Sequence, residues 1–144
     1  MANSMFIPLL RLPQTLQEMR ESIEEAFADL SCSRPSISRK KPSKDINNIL
    51  EGFVQVEGST LDEQCWITVS ESSAEITEDE KCMYIASVTT RVDWVFAGIV
   101  SYALCRAYGA VVFNDACELD GQEKYSVKSL KEVLCDALNK KNYK

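Results

Sequence analysis

Residues 94–105 (WVFAGIVSYALC) run for twelve positions without a charge, and apolar side chains lie nearly all round the helix they would form. A helix at a protein surface carries one apolar stripe, whereas one that is apolar on every side has to be covered on every side. Twelve residues are too few to span a bilayer, which takes about 20. The segment therefore reads as a buried helix, and the rest of the chain has to supply the layers around it. Thr90 and Asp93 fit a capping box at its start. Gly98 inside it costs about 1 kcal/mol relative to alanine, which close packing against a sheet would offset. Gly109 suits a left-handed stop at its end.

The covering layers are legible on both sides of this segment. Thr15 and Glu18 form a second capping-box pattern, and Leu16, Met19, Ile23, Ala26, Phe27 and Leu30 follow at spacings of three and four. Glu18, Glu21, Glu24, Glu25 and Asp29 fall largely on the opposite, acidic face. A last helix is expected over 126–141 on the stripe Val127, Leu130, Val133, Leu134, Ala137 and Leu138. Residues 53–57, 64–70 and 82–90 have the β-branched and aromatic content of strands, as do 110–113 and, less regularly, 6–12. A brief edge strand is expected at 74–77. The order (β)αβββαβα predicts an α+β fold, an antiparallel sheet of about four to five strands packed against helices. At 144 residues the chain reads as a single domain.

Charge is distributed unevenly. There are 22 acids and 16 bases, a net charge of −6. The stretch 31–44 (SCSRPSISRKKPSK) holds five bases, five serines, two prolines and no acid. It reads as the core of a flexible basic loop over 31–50. Without those five charges the remainder stands at −11, from 11 bases against 22 acids.

The chain has no histidine. That excludes Ser-His-Asp and Cys-His catalysis, histidine-containing zinc sites and imidazole acid/base chemistry. Six cysteines, at 32, 65, 82, 105, 117 and 135, lie no closer than 12 residues apart, so there is no C-x-x-C pair. The first eleven residues lack the basic start and long apolar stretch of a signal peptide, and the expected location is cytoplasmic, with reduced and mostly buried thiols. No metal site and no cofactor are expected. In the segment 114–123 (NDACELDGQE), Asp115, Glu118 and Asp120 could suit a hard cation. A calcium-loop register would put Ala116 and Val127 where ligands are needed, so the pattern fails. The basic loop has no aromatic for stacking bases and five glycines are scattered singly, so no nucleic-acid partner is expected, and no membrane.

What remains is recognition by fixed charge. The candidate partner-binding residues are Glu71, Glu75, Glu78, Asp79 and Glu80, together with Asp115, Glu118 and Asp120, and the acids of the first helix add to the same charge. Trp66 and Tyr84 are candidate aromatic anchors on a sheet face. The stretch from the apolar helix through GAVVFND at 109–115 to YSVKSL at 125–130 resembles the C-terminal portion of small bacterial immunity proteins, over about the last 50 residues. That resemblance implies a cytoplasmic, non-enzymatic inhibitor that neutralises a cognate protein toxin. The toxin would be of the polymorphic or contact-dependent type, often a basic nuclease, held by acidic side chains that block its active site. Two other readings fit the composition: a dimeric acidic secretion chaperone holding an effector segment, and a carboxylate-dependent enzyme built on Asp115. The inhibitor reading expects a monomer.

Overall fold

The computed structural model describes residues 3–40, 52–114, 119 and 121–142. Its elements run β1 (Asn3–Leu9), α1 (Leu16–Asp29), β2 (Ser36–Lys40), β3 (Phe53–Glu57), β4 (Gln64–Glu71), α2 (Ala74–Thr77), β5 (Tyr84–Thr90), α3 (Trp94–Tyr108), β6 (Val111–Phe113), β7 (Lys124–Ser126) and α4 (Val127–Asn142). The class is α+β, as the periodicities predict. The strands form one antiparallel sheet in the order β2-β3-β4-β5-β1-β6-β7.

Alternation along the strands sets a helix side and an outer side. Met5, Ile7, Leu9, Val54, Val56, Cys65, Ile67, Val69, Ala86, Val88 and Val112 point to the helices and are buried. The helix α3 lies across their middle, and eleven of its fifteen residues are buried. Ser22 of α1 meets Tyr108 at the end of α3, while Phe27 packs edge-on against Phe96 near its start. Thus α1 runs antiparallel to α3. Leu134 of α4 reaches Gly98, where a Cβ would lie 2.8 Å from its Cδ2. Gly98 therefore admits α4 rather than the sheet.

Several expectations need correcting. The sheet has seven strands, not four to five, and part of the expected flexible loop at 31–50 is the edge strand β2. Its pattern is too polar to read as a strand, yet Ile37 is buried opposite Val56 and the flanking serines and bases sit where an edge strand tolerates charge. Residues 41–50 lie outside the described residues. Arg20 of α1 donates to the Ile37 carbonyl at 3.2 Å, satisfying one acceptor of that edge. The other added strand, β7, is three residues long and passes directly into α4. There Ser126 Oγ accepts from the Ser129 N–H at 3.1 Å, and Ser129 Oγ accepts from the Ser126 N–H at 2.9 Å.

The expected edge strand at 74–77 is instead a single helical turn. Thr15 caps α1 as expected, accepting from the Glu18 N–H at 3.0 Å. At α3, however, Asp93 is itself the N-cap and accepts from the Phe96 N–H at 2.9 Å. Gly109 is extended rather than left-handed, with φ −132° and ψ −162°. Its reason is proximity: it bridges to Leu9, and an added Cβ would sit 2.6 Å from the Pro8 carbonyl oxygen. Because that neighbour is backbone and cannot swing aside, Gly109→Ala should cost about 1–3 kcal/mol, measured by urea unfolding. Wild-type stability in that variant would contradict the close approach.

Candidate functional site

The acids of α1 are the first candidates, and they are largely committed to the fold. Glu18 pairs with Arg11 at 3.0 Å, Glu24 with Arg34 at 3.7 Å and Glu25 with Arg106 at 3.8 Å. Asp29 Oδ2 receives the Tyr102 hydroxyl at 2.9 Å, Lys131 at 3.0 Å and Arg106 at 3.6 Å. One carboxylate thus joins α1, α3 and α4. Its hydrogen bonds from Lys131 and Tyr102 hold it below the ordinary aspartate range, outweighing the opposing effect of burial. Burial acts to raise Glu18, but hydrogen bonds to Tyr108 and Arg11 bring it below its usual value. Both shifts favour a permanently charged group, the opposite of what a general acid requires.

The segment 72–83 between β4 and β5 is different. The Ser72 N–H donates to the Met83 carbonyl at 2.9 Å and closes its neck. Thr77, 1% exposed, organises the interior. Its hydroxyl lies 3.2 Å from the Ser73 carbonyl oxygen and 3.0 Å from those of Asp79 and Cys82. Glu78 ends α2 in the left-handed region at φ 62° and reaches Lys124 at 3.9 Å. Asp79 Oδ1 accepts from the Lys81 N–H at 2.9 Å, an Asx turn. Asp79 therefore helps hold the loop in shape, and Glu78 links it to β7.

Glu71, Glu75 and Glu80 are exposed, and among the described residues no cation pairs with them. The same segment exposes Ile76 (62%) and Met83 (66%). Leu10, just past the β1 residue that pairs with Tyr84, is also exposed at this end of the sheet. Sequence reading found the acids here but missed Ile76, Met83 and Leu10. A lone apolar residue in an acidic stretch carries no periodic signal, and its exposure appears only once the fold is known.

The two expected aromatic anchors do not share a face. Trp66 stands opposite Thr89 on the outer side, with the Arg91 guanidinium 5.6 Å from its ring centroid. Tyr84 stands opposite Leu9 on the helix side and packs against the core. Asp115, Glu118 and Asp120 lie outside the described residues. A cavity of about 520 Å³ opens where the end of α1, the start of α3 and α4 meet, with Asp29, Glu63 and Asp93 on its wall. Each of those carboxylates already serves a structural partner. Among the described residues no group of three cysteine or acidic side chains could hold a metal ion, and no helix is long and apolar enough to cross a membrane. Burial pushes the Cys105 thiol up to about 12, and Cys65 is also raised, chiefly by burial. Both thiols are therefore poor nucleophiles. No known family model, curated protein or solved structure matches the chain.

The Asp29 junction has a pH signature. Its folded pKa is depressed, so its contribution is fully present above the ordinary value of 3.8 and is lost as the pH falls through the lower, folded value. Asp29→Asn should therefore lower the melting temperature by several degrees at pH 7 and by clearly less near pH 2, read by circular dichroism. An equal loss at both pH values would show that the charge of Asp29 is not what joins the helices.

Proposed function

We propose that the chain is a stoichiometric protein-binding inhibitor, of the immunity type, that neutralises a basic protein toxin in the cytoplasm of the bacterium producing both. The observation that carries this reading is the segment 72–83 with Glu71 at its margin. Three carboxylates without a structural task surround two exposed apolar side chains on a loop held rigid from within. Apolar contacts in a polar, charged rim are the anatomy of a protein interface. Fixed carboxylates give charge complementarity, which speeds association and selects a basic partner. The rigid interior matters as well, because a loop already ordered loses little conformational entropy on binding.

The uneven use of acids supports the same reading. Four of the five α1 acids are paired with arginines or a lysine of the same molecule, whereas Glu71, Glu75 and Glu80 at the far end of β4 and β5 have no cation partner among the described residues. The inhibitor would cover the toxin's active site with this surface and needs no chemistry of its own.

The experiment is coexpression with the neighbouring reading frame, followed by titration of the purified pair. Wild type should permit growth when the toxin is induced, whereas Glu71→Lys, Glu75→Lys and Glu80→Lys combined should weaken binding at least tenfold with an unchanged melting temperature. Association should slow as salt rises from 50 to 500 mM, because screening removes the steering. With no histidine in the chain, this protein's own ionisation should leave affinity nearly flat between pH 6 and 8. Wild-type affinity in the triple variant would overturn the reading.

A further inference from the structure

The tip of the β3–β4 hairpin carries Leu61, 91% exposed and the most exposed large hydrophobic side chain among the described residues. A single exposed leucine is ordinary. The turn that carries it is not. The Gly58 N–H donates to the Glu63 carbonyl at 2.6 Å, the Glu63 N–H to the Thr60 carbonyl at 3.2 Å, and the Gln64 N–H to the Asp62 carbonyl at 3.0 Å. Glu63 Oε1 turns back to accept from the N–H groups of Ser59 at 3.0 Å and Thr60 at 3.1 Å. Gln64 Nε2 donates to the carbonyl of Leu61 itself at 3.0 Å.

The base of the hairpin is fixed as well. A Cβ on Gly58 would lie 2.9 Å from the Phe96 ring, so only glycine lets the turn sit against the first turn of α3. Thr90 Oγ1 donates to the Gln64 carbonyl at 2.9 Å, tying the hairpin to the end of β5. Two residues further on, Val92 is 59% exposed and shares a depression of about 310 Å³ with Asp62, Trp94 and Leu119. Asp62 is exposed, as is Glu57, which lines a separate shallow depression with Leu61.

Six hydrogen bonds hold a turn whose apex buries nothing within its own molecule. We infer that the hairpin is a preformed contact finger, and that Leu61 enters an apolar pocket with a basic rim on the same toxin partner. A partner of that chemistry follows from Glu57 and Asp62, exposed acids of the same hairpin around Leu61, which favour cations opposite. An aliphatic side chain fixed in its bound position anchors an interface without the entropy loss a mobile loop would suffer. This inference rests on the inhibitor reading and adds a contact at the other end of the sheet from the segment 72–83.

The test uses the full chain and the purified product of the neighbouring reading frame, its catalytic activity blocked by substitution. Leu61→Asp should leave the melting temperature unchanged, since nothing in the fold covers the side chain. It should weaken binding by at least about tenfold, the loss expected when one leucine is no longer buried. Glu63→Ala keeps Leu61 but frees two N–H groups of the turn. With circular dichroism as the check on folding, it should weaken binding severalfold while local amide exchange at 59–62 rises. If wild type binds and Leu61→Asp binds equally well, the finger is overturned and the inhibitor reading stands. If wild type does not bind at all, both fall.

Discussion

A fifteen-residue helix with a single charge, Arg106, cannot lie at a surface, and that requirement arranges everything else in this fold. The sheet covers α3 from one side, and α1 and α4 cover it from the other. Gly98 gives up helix propensity so that Leu134 can come close, and Gly109 lets the backbone turn back against Pro8 and return into the sheet. At its amino end, Asp93 caps the helix while Phe96 receives both Phe27 and the base of the β3–β4 hairpin. Both ends of α3 are thereby fixed to segments that reach solvent.

The polar half of the structure follows from the apolar half. Two helices laid along a third bring their outer faces near one another, and Asp29 of α1 lies where α3 presents two donors and α4 a third. Exposed ion pairs contribute little singly, but a carboxylate shared by three donors keeps each side chain partly ordered for the others. Most acidic side chains on α1 thus serve assembly, while Glu71, Glu75 and Glu80 around the segment between β4 and β5 have no ion pair among the described residues. Their sequence neighbourhoods look alike, and only the position of bases elsewhere in the chain distinguishes them.

This explains what could be read in advance. The helix α3 was legible because an uncharged stretch of that length has few solutions, and α1 and α4 because their stripes recur at helical spacing. The strands β3, β4 and β5 alternate clearly. The strand β2 does not, since Ser36, Ser38 and Lys40 suit a loop as well as an edge, and pairing with β3 decides between them. Three-residue strands such as β7 are too short for any period to register. At the candidate site, the charges were visible but their duties were not. Glu78 and Asp79 look the same as Glu75 and Glu80 until the fold shows that Asp79 braces the loop and Glu78 links it to β7. Leu61 gave no signal, because its meaning lies in the hydrogen bonds that surround it rather than in the leucine.

The contact from Arg20 to the Ile37 carbonyl has a consequence for how the molecule fails. The helix α1 covers the core and also guards the outermost strand. If it lifts away, an apolar stripe and an unguarded strand edge are released together, and both favour association with another copy in the same state. Loss of α1 would then be self-propagating at high concentration. Asp29 and its donors, together with the buried stripe Leu16, Met19, Ile23, Ala26 and Phe27, are what keep that helix closed.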